Sequence, residues 1–404
     1  MTRIATAWLV YRLTHSAFLL GVVGFSGQIP ILLLGPFAGV WADRWDRHRT
    51  LVVTQVLSMV QSFWLAGLAL AHVITVGDII ALSLFQGAIN AFDMPARQAF
   101  VVTMIEDRAD LSNAIALNSS MVNGARLIGP SLAGLIIAAV GEGYCFLIDG
   151  LSYLAVIASL LMMRIAVEQA RSRRTHVLAE LKEGWQYASR STPIRSILLL
   201  LGLVSLVGMP YTVLMPIFAG SVLHGGAHTL GFLMGASGVG ALTGAVLLAT
   251  RRSVRGLGRV VMMTSMGFGA GLFLFASSRW LALSLPLMML TGFCMMTQMA
   301  SSNTILQTIV QEDKRGRVMS FYSMAFQGAA PFGSLIAGAA ASRIGAPHTL
   351  MIGGSICVLG GLWFATQLPR IRAVVRPIYR KLGIIPEVAA GMQAAASLSS
   401  AQEE

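Results

Sequence analysis

The sequence predicts an all-α protein that crosses a membrane many times, and three observations predict it. The first is composition: of 404 residues, 55% are hydrophobic and only 11% are charged, with a mean hydropathy of +0.72. A soluble domain carries about 25% charged residues. The second is pattern. Apolar residues come in long continuous stretches, not in the alternation of a membrane barrel. The third is an internal repeat at about half the chain length. Leu20-Gly21 is echoed by Leu230-Gly231, Glu106-Asp107-Arg108 by Glu312-Asp313-Lys314, and Pro130 by Pro331, each followed by a Ser-Leu…Ala-Gly run.

A helix needs about 20 apolar residues to cross about 30 Å of hydrocarbon. Eleven stretches meet this, beginning near Phe18, Thr50, Asp78, Asn113, Tyr144, Ile197, Leu230, Val260, Leu281, Val318 and Thr349. Thr2 to Leu13 is apolar too, but 12 residues reach only about 18 Å as a helix. It is expected as the second half of a first transmembrane helix. Residues 164–195 form the longest polar segment, and the tail from Pro369 begins basic and ends Ala-, Ser- and Gln-rich, disordered past Pro386.

The net charge of +12 is a topology signal. Of the 29 Lys and Arg residues, 23 fall in 41–50, 104–113, 164–195, 251–259, 311–317 and 369–381, all on one side if the first complete span runs toward the cytoplasm. The opposite loops hold only Arg12, Arg279 and Arg343. This is the positive-inside pattern, and it places the C-terminus in the cytoplasm of a bacterial-type inner membrane. Contact with anionic lipid headgroups is a second role for the same charge, and nucleic acid is not expected. Cys145, Cys294 and Cys357 lie on three different spans with no metal or disulfide spacing.

One loop is more specific than any span. Gly39-Val-Trp-Ala-Asp43-Arg44-Trp-Asp46-Arg47-His-Arg49 places five charges between two spans. Its acids and bases are suited to pair across a helix end and latch one conformation. The corresponding loop of the second half, Arg251 to Arg259, keeps the positive charge and has no acid.

The pattern G-x-x-A-D-R-x-D-R-x-R resembles the signature loop of the major facilitator superfamily of secondary transporters. With Trp8 to Thr14, Asn90 to Gln98, Asn113 to Asn118 and Gly124 to Pro130, the chain resembles the branch that contains the enterobactin exporter and drug-efflux-like permeases. The resemblance covers residues 4–368. It implies a major facilitator fold of two six-helix bundles, 1–164 and 196–368, with 165–195 as cytoplasmic linker and 369–404 as tail. It implies a substrate site between the halves. Gly124 to Gly134 resembles the motif that marks exporters in this superfamily, with Gly129-Pro130 expected to kink its helix and the glycines to admit a neighbour.

Two polar stripes carry the mechanistic expectations. Gln86, Asn90, Asp93 and Arg97 share one face of a predicted helix. Such residues are costly in hydrocarbon and belong in a bundle interior or a water-filled cavity. Asp93 is expected to take up and release a proton, with Arg97 or Arg126 exchanging partners around it. The competing reading is an ion pair that only holds the fold. Ser119, Asn123, Arg126 and Pro130 form the second stripe, and Asp149 is a further protonatable candidate. Gln86, Asn90, Asn123, Tyr211, Met295, Gln298 and Met299 are the candidates for the substrate cavity. The methionines of that span suit an adaptable apolar surface.

No phosphate-binding loop and no catalytic or metal constellation is visible, so no enzyme, nucleotide, metal or cofactor is expected. The expected partners are a small-molecule substrate, protons and membrane lipids. The reading is a proton-coupled exporter of an amphipathic solute, siderophore-like or drug-like, working by alternating access. Import, lipid flipping and a remnant that no longer transports are the other readings.

Overall fold

The structure is a computed structural model that describes residues 1–42, 46–104, 110–163, 186–251 and 253–381. Every regular element among them is helical. The short helix α1 (Thr2–Thr14) is followed by α2 (Ala17–Ser26) and α3 (Ile29–Ala42), which make one span broken at Gly27-Gln28. Then come α4 (Arg47–Leu70), α5 (Val76–Thr103), α6 (Leu111–Val140) and α7 (Glu142–Met162). The second half holds α8 (Thr192–Leu203), α9 (Tyr211–Ile217), α10 (Ala227–Ala249), α11 (Leu257–Ser277), α12 (Leu281–Ile309), α13 (Glu312–Ser323), α14 (Ala329–Ile344) and α15 (Ala346–Lys381).

Nine helical runs among the described residues are long and apolar enough to cross a membrane, and Ile128–Val140 of α6 is a shorter apolar stretch. Large apolar side chains such as Trp280 (76% exposed) and Leu161 (64%) cover the outside. In water such surface would be costly; against lipid it is the expected solvent. The interior is closed by Phe146, Phe218, Phe268, Phe275 and Phe364, all fully buried.

Three refinements to the span pattern have local causes. Five-residue π-turns at Val204–Gly208 and Met324–Gly328 interrupt the spans expected from near Ile197 and Val318. They precede Pro210 and Pro331, whose missing N–H groups break the ordinary ladder. Helix α8 begins at Thr192, inside the segment expected as linker, because Pro193 suits a first helical turn. Helix α15 runs to Lys381, into the expected tail, since Leu368, Ile371, Val375 and Tyr379 form a buried stripe at helical spacing.

The connections alternate between two ends. His15, His72, Gly141, His224 and Gly345 lie in turns of one end and all have positive φ. The other end holds Asp46, Arg251 and Gln311. We call them the Gly141 end and the Arg251 end.

The two halves meet at α6 with α10 and at α2 with α14. Each contact centres on facing glycines. A Cβ on Gly134 would lie 2.6 Å from the Gly231 Cα, and one on Gly338 would lie 2.7 Å from the Gly21 Cα. The backbones touch because neither residue carries a side chain. Helix α6 runs unbroken through Pro130. Of the motif's glycines, Gly134 makes the close approach; a Cβ at Gly124 or Gly129 would meet nothing within 4 Å among the described residues.

Candidate functional site

Asp93 sits on α5 at 8% exposure, facing α4. Its Oδ1 accepts hydrogen bonds from Thr54 Oγ1 (2.9 Å) and Gln55 Nε2 (2.7 Å). Its Oδ2 accepts two from Arg97, Nε at 3.1 Å and Nη2 at 2.8 Å. Four donors thus fill the carboxylate, one pair of them charge-assisted. The Arg97 side chain is 58% exposed, so the pair spans from a buried carboxylate to an accessible cation. A proton on Asp93 would cancel the charge that holds Arg97 and free the guanidinium for another partner.

The rest of that stripe continues toward the Gly141 end. Gln86 Nε2 donates to Asn90 Oδ1 and to Ser58 Oγ, both at 3.2 Å, and its Oε1 is buried with no partner among the described residues. Thr54, Gln55, Ser58, Gln61 and Ser62 are all buried on α4. The sequence reading missed this stripe, although its spacing is the same signal that singled out α5. The two stripes pack on each other, so these side chains line the α4–α5 seam inside the bundle, with Gln86 and Asn90 half-buried.

Asp149 lies on α7, seven residues into the span from Glu142, about 10 Å along the helix. Its Oδ2 accepts from Thr2 Oγ1 (2.5 Å) and Ser62 Oγ (3.3 Å). It therefore ties α1 and α4 to α7. Asn123 and Arg126 fall on α6, but their side chains lie outside those described, so their partners do too.

The Gly141 end is closed by polar contacts beyond the glycines. Tyr11 Oη and Ser221 Oγ are 2.7 Å apart across the halves. Gly220 packs against the Tyr11 ring. Arg12 Nε lies 3.1 Å from Glu142 Oε1, whose side chain is 6% exposed.

Of the loop residues expected to form a latch, Asp43, Arg44 and the surroundings of Gly39 lie outside the described residues. Asp46 caps α4, accepting from the backbone N–H of His48 (2.9 Å) and Arg49 (3.3 Å). Arg49 pairs with Asp46 within one turn at 3.6 Å, while Arg47 opens the helix. In the second half, Arg251 donates to the carbonyl oxygens of Ser253 (3.2 Å) and Arg255 (2.7 Å). Without an acid, the arginine holds its own loop.

In the second half, Tyr211 is 2% exposed and hydrogen-bonded to Ser237 at 3.1 Å. Gln298 is 1% exposed, and neither of its amide atoms finds a partner among the described residues. Met295 and Met299 pack on the core, and the Met299 carbonyl accepts from Tyr322 Oη at 3.0 Å. Tyr211 and Gln298 face protein, and Met295 and Met299 are half-buried. The accessible surface of α12 is its other side, where Ala300, Asn303, Thr304, Gln307 and Thr308 line a pocket with Arg315 of α13.

Paired halves, glycine-mediated contacts and buried carboxylates on interior helix faces define a helical secondary transporter. The comparisons agree. Residues 1–380 match the family described as transmembrane secretion effector, and the chain belongs to this family of the major facilitator superfamily. It is a multi-pass membrane transporter of small molecules and not an enzyme. It is 26% identical over 373 residues to the staphyloferrin A transporter of Staphylococcus aureus, covering 92% of this chain and 93% of that one. It is 25% identical over 385 residues to the multidrug efflux pump Tap of Mycolicibacterium fortuitum, covering 92% of each. Among solved structures, a variant of the nucleoside transporter NupG superposes with a TM-score of 0.71 at 14% identity, over 90% of this chain and 94% of that one. A bacterial homologue of Spinster gives 0.67 at 14% identity, over 94% of each. These structures share the fold.

Proposed function

We propose that this chain is a proton-coupled exporter of amphipathic small molecules in a bacterial inner membrane, alternating access by rocking 1–164 against 196–368. Residues 165–195 link the bundles on the cytoplasmic side, where the tail 369–404 also lies. The observation that carries the reading is Asp93: a buried carboxylate whose arginine partner is free to move once the charge is cancelled. Proton and substrate must favour different facing states for one to drive the other. Efflux relatives support the direction, and the basic segments support the orientation. Arg126, Asn123, Gln86 and Asn90 are proposed to serve the same half.

The test is uptake of a panel of charged and neutral dyes into proteoliposomes with an acidic lumen. The full chain should accumulate dye, and collapse of the pH gradient should stop it. Asp93→Asn should abolish gradient-driven uptake while leaving downhill dye exchange and melting temperature near the parent. Gradient-driven uptake at the parent rate would remove Asp93 from the coupling.

A further inference from the structure

From the α12–α13 pocket we infer that the solute this transporter loads carries an anionic, oxygen-bearing group, which Arg315, Asn303 and Gln307 bind. The inference rests on the transporter reading and specifies its substrate.

The pocket is a 450 Å³ recess at the Arg251 end. Its α12 residues lie within the Leu281–Ile309 span, on the face opposite buried Ser301, Ser302, Ile305, Leu306 and Ile309. Polar groups at this density are costly against lipid, so this face serves a water-filled space. Hydrogen-bond bookkeeping then sets the ligand's sign. Thr304 and Thr308 give their hydroxyl protons to the backbone carbonyls of Ala300 (2.9 Å) and Thr304 (2.7 Å). Gln307 gives one amide proton to Asn303 Oδ1 at 2.6 Å. That leaves the Asn303 amide donors, the second Gln307 donor and the Arg315 guanidinium, with the Gln307 carbonyl oxygen and the two threonine hydroxyl oxygens as neutral acceptors, so the one charged group among the described lining residues is the guanidinium.

Among the described residues, the acid paired with Arg315 is Glu312 at 4.0 Å, and that side chain is 92% exposed. None of the described residues lining the recess is an acid. Lys314 is turned onto the Tyr187 ring at 4.9 Å, so Arg315 is the cation the recess presents. A guanidinium with amide donors at one helical turn's spacing matches a carboxylate, sulfonate or phosphate better than an ammonium. The recess opens at the end that the basic segments assign to the cytoplasm, the side from which an exporter loads.

The experiment compares two pH-insensitive dyes, the anionic sulfonate Lucifer yellow and the cation rhodamine 6G. It uses the full chain in phosphatidylcholine vesicles with an acidic lumen, together with Lucifer yellow binding to detergent-solubilised protein by fluorescence anisotropy. Lucifer yellow should bind and be taken up. Arg315→Gln should raise its KM tenfold or more with little change in kcat, Arg315→Lys should recover part of that loss, and Asn303→Ala and Gln307→Ala should each weaken binding several-fold. Uptake of rhodamine 6G alone would overturn the anion site and leave the transporter reading standing. Arg315-dependent Lucifer yellow binding without uptake of either dye would support the site and sink the proton-coupled exporter reading. An Arg315→Gln effect seen only when phosphatidylglycerol is added to the vesicles would assign the guanidinium to a lipid headgroup and overturn the proposal.

Discussion

Gly134 of α6 and Gly231 of α10 bring two helices from opposite halves into backbone contact, 2.6 Å from a Cβ built on one to the Cα of the other. Gly338 and Gly21 repeat the contact between α14 and α2. Gly21 and Gly231 are repeat-related, as are Gly134 and Gly338. One pair is therefore the image of the other under the twofold relation of the halves. Both close the Gly141 end.

A side chain at either pair should hold that end apart. Gly134→Val or Gly21→Val introduces about 1–3 kcal/mol of overpacking, worth about 5- to 150-fold in the balance of facing states. A Ser221→Cys reporter works because the three native cysteines are buried. Its labelling by an impermeant maleimide should speed up at least fivefold. An unchanged rate would mean that the pairs are static packing.

Tyr11→Phe should act in the same direction and more weakly. It removes the 2.7 Å contact with Ser221 but keeps the ring against Gly220. A transmembrane hydrogen bond is worth about 0.6 kcal/mol, so labelling of an Ala17→Cys reporter, buried at the same end with the Ser221 hydroxyl kept, should rise about two- to threefold. A slower rate would contradict a closing role.

Arg12→Ala should destabilise more than Glu142→Gln. Glu142 is the buried member of the pair, and removing its partner leaves a carboxylate with no counter-charge. Screening at the half-exposed Arg12 keeps the cost at about 1–3 kcal/mol. The double variant should regain part of the loss, read as melting temperature in detergent. Equal single effects would place the strain elsewhere.

The two equivalent loops should respond differently. Asp46→Ala removes an N-cap and should cost about 1 kcal/mol of stability. Asp43→Asn should shift the facing balance, whereas Arg251→Ala loosens only a loop that holds itself through Ser253 and Arg255. Cysteine accessibility at the Arg251 end distinguishes these outcomes; equal shifts from Asp43→Asn and Arg251→Ala would remove the latch.

The spans were legible because a 20-residue apolar run has few alternatives in lipid. Asp93 with Arg97 was legible for a similar reason: residues four apart on a helix are neighbours whatever surrounds the helix. The partners of Asp93 on α4 were not, since Thr54 and Gln55 lie 39 and 38 residues away and meet it only through packing. Gln298 and Tyr211 were grouped with the methionines of their spans as an adaptable cavity wall, yet composition does not say which side of a helix faces protein and which faces water.

By itself the sequence determined the solvent, the helical class, the repeat and where along the chain the basic segments fall. Each follows from local composition and period, which the bilayer converts directly into structure. Only the tertiary structure decided which glycines touch, which polar stripe pairs with which, and where an accessible recess lies on α12. Those depend on the rotation of each helix about its axis, set by the shape of all its neighbours together and not by any one segment.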